Sequence, residues 1–124
     1  MLEVRELQAS YGAVAALKGI SLRVGEGEIV SLIGANGAGK STTLRVFSGL
    51  MEASGGSLTF DGRDIAREDS RGRVEAGMVL VPEGRRLFPA MTVEENLYMG
   101  AYARPSGESH SATLGWCYEL FPVL

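Results

Sequence analysis

Gly34-Ala35-Asn36-Gly37-Ala38-Gly39-Lys40-Ser41 is the stretch on which the fold turns, and the apolar run Ile29-Val30-Ser31-Leu32-Ile33 leads into it. The eight residues fit the pattern GxxxxGK[ST]. Their setting predicts a strand, a glycine loop and a helix whose first turn starts at Lys40 or Ser41. Gly34, Gly37 and Gly39 lift the restrictions that a Cβ imposes, so the loop, with Ala35, Asn36 and Ala38 between them, can turn successive N–H groups inward around an anion. The helix that follows adds unpaired N–H donors and a partial positive charge, about 0.3–1 kcal/mol for an exposed anion. Lys40 then supplies a mobile cation for β- and γ-phosphates, Ser41 a hard hydroxyl ligand suited to Mg2+, and Thr42 a further hydroxyl near an α-phosphate. With 17 glycines in 124 residues, a plain strand-to-helix turn is the alternative reading. Lys18 is the only other lysine, however, which puts a chance match of the fixed positions at roughly one per cent or less.

Composition sets the remaining bounds. A chain of 124 residues that is 45% hydrophobic is long enough for one globular domain. A mean hydropathy of +0.07 carries no membrane bias. The start, Met1-Leu2-Glu3-Val4-Arg5, alternates and carries acid, which is neither a signal nor a transit peptide pattern, so a soluble, cytoplasmic chain is expected. Cys117 is the single cysteine, so no intrachain disulfide or cysteine zinc site can form. The formal charge of −3 gives no case for nucleic-acid binding by a basic surface.

In chain order, Leu2 and Val4 alternate with Glu3 and Arg5, and Ile20, Leu22 and Val24 with Ser21 and Arg23, which predicts two half-buried strands able to pair antiparallel. Between them, residues 11–17 read as a loop. Tyr11 offers either a flat face for stacking a base, about 1–3 kcal/mol, or a tyrosine partly buried at a sheet edge. Beyond the glycine loop, Leu44, Phe47 and Leu50 predict a helical stripe facing the sheet, closed by Gly49 and Gly55-Gly56. Ser57-Leu58-Thr59-Phe60 reads as a strand ending in an Asp61-Gly62 turn. Residues 63–75 carry both charges and read as a solvated connector, part of it helical.

Met78-Val79-Leu80-Val81, stopped by Pro82, is apolar at every position and predicts a strand covered on both faces, as in a parallel sheet. Glu83, Arg85 and Arg86 then fall in a loop at the carboxyl end of that strand, where open α/β sheets place ligand groups, although a solvated loop reads equally well. Thr92-Val93-Glu94-Glu95 fits a capping box and predicts a helix start. Residues 104–111 read as a polar loop holding His110 as a surface histidine. Leu114, Cys117, Tyr118 and Phe121 predict a last amphipathic helix, interrupted by Pro122, with Cys117 as a packing residue.

Taken in order, Tyr11, Gly27-Glu28-Ile29, GANGAGKST, Gly56-Ser57-Leu58-Thr59-Phe60-Asp61-Gly62 and VPEGRRLFPAMTVEENL resemble the ATP-binding subunits of ABC transporters across essentially the whole chain. Residues 81–97, together with Trp116-Cys117-Tyr118-Glu119-Leu120-Phe121-Pro122, are most similar to the subunits that energise branched-chain amino acid uptake. The resemblance implies an α/β P-loop NTPase core of ABC ATPase type, incomplete here. Residues 1–27 would form an antiparallel β region with the adenine loop, 28–90 the P-loop core up to the Q-loop position, and 91–124 the start of a helical subdomain. It also implies ATP and Mg2+ as cofactors, Tyr11 as the adenine-stacking aromatic, and Glu83 at the Q-loop position beside metal and attacking water. Glu83 departs from the glutamine of most relatives but agrees with the branched-chain subgroup.

A signature loop, a second acidic strand with its glutamate, and a switch histidine are absent from the 124 residues. The resemblance therefore implies the amino-terminal half of a subunit, inactive alone. In the full-length protein it implies a head-to-tail dimer of ATPase subunits, homo- or heterodimeric, on the inner face of the cell membrane through membrane-spanning permease subunits. Two alternatives stand beside this expectation: a nucleotide-binding module without turnover, and a soluble ABC ATPase outside transport.

Overall fold

The alternation of apolar and polar residues at the start of the chain becomes one long hairpin in the computed structural model, which describes residues 1–103 and 110–124. Strand β1 (Leu2–Tyr11) pairs antiparallel with β2 (Val14–Val24) across Gly12-Ala13, placing Leu2 opposite Val24 and Tyr11 opposite Val14. Tyr11 and residues 14–17, expected as loop, therefore belong to strands. Cross-strand pairing and the burial of Ala9 and Leu17 outweigh the weak local signal of an alanine-rich stretch. Strand β3 (Gly55–Phe60) pairs antiparallel with the other edge of β1, and β4 (Arg63–Asp64) completes a sheet of order β2-β1-β3-β4. Asp61 and Gly62 make the β3–β4 turn with φ of +47° and +79°, the positive pair that a two-residue hairpin of matching twist requires.

The sheet is kinked at Glu6. Its register breaks between Val4 and Leu7 against β2 and between Arg5 and Gln8 against β3, and Glu6 itself has φ +47°. The Glu6 N–H donates to Ser21 Oγ at 2.9 Å, and that hydroxyl donates to Glu6 Oε1 at 2.9 Å. Gly56, at φ +87°, lies so close that a Cβ there would stand 2.4 Å from the Glu6 carbonyl oxygen.

Helix α1 (Lys40–Phe47) covers the sheet, adding Val46 and Phe47 to a core of Val4, Leu7, Ala9, Leu17, Leu58 and Ile65. The expected stripe is only partly correct. Phe47 is buried, but Leu44 and Leu50 are exposed, and Thr42, Thr43 and Val46 face inward instead. Thr43 can be buried because its hydroxyl donates to the Gly39 carbonyl at 3.0 Å within the helix. Gly49, at φ +72°, ends α1: its N–H donates to Val46 O at 3.2 Å and that of Leu50 to Arg45 O at 2.9 Å, the paired bonds of a Schellman cap.

Residues 63–75 contain more structure than a solvated connector. Asp69 caps helix α2 (Ser70–Glu75) through the Gly72 N–H at 2.8 Å. Arg73 of that helix is 2% exposed. Its guanidinium donates to the carbonyls of Val46, Phe47 (2.9 Å), Ala66 (3.3 Å) and, through Nε, Glu68 (2.9 Å). It thus satisfies the Phe47 carbonyl, which α1 leaves open at its C-terminus, and gives that of Val46 a second donor beside the Gly49 N–H. Burial pulls the guanidinium below its ordinary pKa, and the charge of Glu68 works the other way.

The two apolar runs, 29–33 interrupted only by Ser31 and 78–81 apolar throughout, are not strands. Residues 29–33 and 78–81 lie in irregular backbone, with Ile29 and Ile33 each 95% exposed and Val79 and Val81 also exposed. A run apolar at every position needs ladder partners beside it and cover on both faces, and the described residues provide it with neither.

The chain divides into two compact units, Met1–Leu80 and Val81–Leu124. In the second, Thr92 and Glu95 form the expected capping box at the start of α3 (Val93–Gly100). Asn96 of that helix holds the preceding turn, accepting from the Phe88 N–H at 2.9 Å and donating to the Phe88 and Thr92 carbonyls at 3.1 and 2.8 Å. Helix α4 (Ser111–Leu120) follows, and Leu114 and Cys117 line a cavity of about 280 Å3 with Leu97 and Tyr98 of α3. Cys117 is thus a packing residue. The expected loop at 104–111 lies mostly outside the described residues. His110, expected at the surface, is half-buried in the wall of that cavity, and its Nδ1 has no hydrogen-bond partner among the described residues.

Candidate functional site

The glycine loop delivers its residues to the start of α1, at Lys40, as the pattern predicts. Gly37 and Gly39 take φ of +86° and +89°, and the Ala38 N–H donates to the Ala35 carbonyl at 3.2 Å, folding residues 35–38 into a turn. Gly39 could not carry a side chain: a Cβ would stand 2.7 Å from Leu17 Cδ2 and 3.1 Å from the Ala16 carbonyl. At Gly34 a Cβ would meet that of Ala38 at 3.1 Å, so the loop closes on its two smallest side chains.

No side chain caps α1 at its N-terminus, and its first hydrogen bond runs from the Thr43 N–H to the Gly39 carbonyl at 2.8 Å. The N–H groups of Lys40, Ser41 and Thr42 therefore have no partner inside the helix and carry its positive end. The Lys40 ammonium donates to the carbonyls of Gly34 at 2.7 Å and Ala35 at 2.8 Å, which holds a positive charge over the loop. A helix terminus with open N–H donors and a cation thus lie beside the glycine loop, charges that a polyphosphate would complement.

The Ser41 side chain is exposed at the same helix start. No group of three His, Cys, Asp or Glu that could hold a metal occurs among the described residues. One hydroxyl still fits Mg2+, because that ion keeps several waters and takes its remaining ligands from phosphate. Ser41 would hold it, and the ion would supply charge neutralisation for the polyphosphate.

Tyr11 is brought to this helix. It stands 49% exposed at the end of β1, and its hydroxyl accepts from Arg45 Nη1 at 3.3 Å. Thr42 is its other side-chain hydrogen-bonding partner, and Thr42, then Arg45, holds the phenol below its ordinary pKa. Thr42 itself is buried. Arg45 went unnoticed in the sequence because nothing in its spacing separates it from a solvated helix arginine.

Glu83 belongs to the second unit, on an exposed stretch where its carbonyl accepts from Arg86 Nε at 3.3 Å. Gly84, Arg85 and Arg86 there have φ of +78°, +60° and +54°, a left-handed run that is unfavourable for the two arginines. Arg85 and Arg86 are both exposed.

The family described as ABC transporter matches residues 17–120. Among curated proteins, the high-affinity branched-chain amino acid transport ATP-binding protein BraG of Pseudomonas aeruginosa is 40% identical over 124 residues, 100% of this chain and 53% of its own length. The ribose import ATP-binding protein RbsA of Geobacillus kaustophilus is 35% identical over 100 residues, 81% of this chain and 20% of its own. The chain thus spans about half, or less, of the length of these relatives. Among solved structures, an ATP-binding subunit of an ABC transporter superposes with a TM-score of 0.75 at 36% identity, over 87% of this chain and 44% of that one. A dimeric ATP-binding cassette in a post-hydrolysis state, bound to ADP and Pi, superposes with a TM-score of 0.75 at 25% identity, over 88% of this chain and 50% of that one.

Proposed function

Since the chain belongs to the ABC transporter family, we propose that it is part of the ATP-binding subunit of an importer, and that the importer takes up branched-chain amino acids. The observation that carries the nucleotide reading is the juxtaposition at α1: a glycine loop with its lysine on one end of the helix, and an exposed tyrosine ring tied to the same helix. The loop N–H groups from Gly34 to Gly39, the helix start and Lys40 bind and neutralise the triphosphate, Ser41 holds Mg2+, and Tyr11 stacks on the adenine. Phosphoryl transfer needs little covalent help from protein groups, so binding, alignment and charge compensation are the work of these residues. Glu83 contributes in the full-length protein by orienting the attacking water. A second ATPase subunit, which the dimeric cassette among the structural relatives supports, and membrane-spanning permease subunits complete the assembly.

The amino acid reading is favoured over sugar import because the similarity to BraG runs through all 124 residues, whereas that to the ribose and arabinose import proteins covers 100 to 113. Uptake of labelled leucine and ribose, measured in cells whose own copy of this gene is deleted and then restored, tests it. Loss and recovery of leucine uptake are expected, and loss of ribose uptake alone would overturn the substrate class.

A further inference from the structure

The Tyr11 hydroxyl is tied at its outer end while the ring stays half exposed. Arg45 Nη1 donates to it at 3.3 Å, and Thr42, ahead of Arg45, holds its pKa down. Thr42 and Arg45 are three residues apart on α1, so they present one face of the helix to the tyrosine. They also sit two and five residues after Lys40, within the same short helix whose N-terminus faces the glycine loop. Stacking on a base needs only a ring, and phenylalanine or tryptophan would supply one. A hydroxyl bonded to a guanidinium does something further: it removes rotamer freedom from the ring before any ligand arrives and fixes its distance from the helix start.

We propose that Arg45, assisted by Thr42, is a positioning residue for the base of a nucleoside triphosphate, acting through the Tyr11 hydroxyl to set the stacking ring at a fixed span from the phosphate loop. This rests on the reading of Tyr11 as the base-stacking residue. The ligand class it selects is one that carries both an aromatic base and a polyphosphate. A polyphosphate alone engages the loop and draws nothing from the tether.

The test is calorimetric titration of the full-length protein with ATP and, separately, with inorganic tripolyphosphate. Tyr11→Phe and Arg45→Met should each weaken ATP binding about five- to tenfold, the loss of one hydrogen bond to a charged donor, while tripolyphosphate binding stays within about twofold of wild type. The double variant should be no weaker than either single one, because both remove the same bond. Arg45→Lys, which keeps a cationic donor, should recover most of the loss. Wild-type ATP affinity in Tyr11→Phe, additive losses in the double variant, or equal losses for both ligands would each overturn the proposal. Tyr11→Ala separates it from the reading beneath: weakened ATP binding in Tyr11→Ala with none in Tyr11→Phe removes the tether alone, whereas wild-type affinity in both removes Tyr11 from the site.

Discussion

Lys40 Nζ lies 2.7 Å from the carbonyl oxygen of Gly34, so the lysine of the glycine motif is held by the residue that begins it. A bound phosphate must draw the ammonium from this carbonyl and from that of Ala35. The exchange is favourable because a full negative charge at about 4 Å attracts an ammonium by roughly 4 kcal/mol near a protein surface, more than a neutral carbonyl dipole does. Lys40→Ala in the full-length protein should therefore weaken ATP binding by about two orders of magnitude or more. Calorimetry decides, and wild-type affinity would remove Lys40 from the site.

Arg73 should be a stability residue. Arg73→Met leaves the Phe47 carbonyl at the end of α1 without its buried donor and removes one of two donors from that of Val46, at a cost of about 1–3 kcal/mol. Arg73→Lys keeps the charge but not the planar fork and should fall between. Chemical denaturation midpoints check both, and a Met variant as stable as wild type would show that water replaces the guanidinium.

Glu83→Ala should lower kcat in the full-length protein by about tenfold or more while leaving nucleotide affinity within about twofold, the pattern of a group that acts after binding. Paired ATPase assays and calorimetry measure the split. An unaltered kcat would return Glu83 to a solvated loop charge.

The capping box predicts a pH dependence. The Thr92 N–H, at 2.7 Å, and then its hydroxyl, at 3.0 Å, hold the Glu95 carboxyl below the ordinary glutamate value. The folded state thus favours the carboxylate. Its contribution to α3 is fully present above the ordinary glutamate value and is lost as the pH falls through the lowered one. A carboxyl-carbon NMR titration should place the Glu95 midpoint below that of uncapped glutamates in the same chain, and Thr92→Ala should raise it. Equal midpoints in the two proteins would contradict the capping interaction.

What could be read from the residues was local. The glycine motif gave the start of α1 at Lys40, Asp61-Gly62 gave a tight turn, and Thr92 with Glu95 gave a cap, because each depends on neighbours within a few positions. Residues 29–33 and 78–81 are apolar enough for central strands, but a strand also needs partners distant in sequence, which no local pattern contains. Arg73 was hidden for the opposite reason. A charged residue in a charge-rich stretch reads as solvated, and only the open carbonyls of another helix make its burial favourable. The Tyr11 tether was half legible: the ring stood out beside Gly12, but its partners Thr42 and Arg45 lie 31 and 34 positions further along the chain.

The kink at Glu6 bears on that tether. Because Gly56 leaves no room for a side chain and Ser21 holds Glu6 on the opposite edge, sliding β1 against either neighbour would break these contacts at the kink. The six residues from Glu6 to Tyr11 then act as a ruler clamped at one end. The kink fixes the zero mark, and the aromatic ring falls at a set graduation, where α1 can reach it.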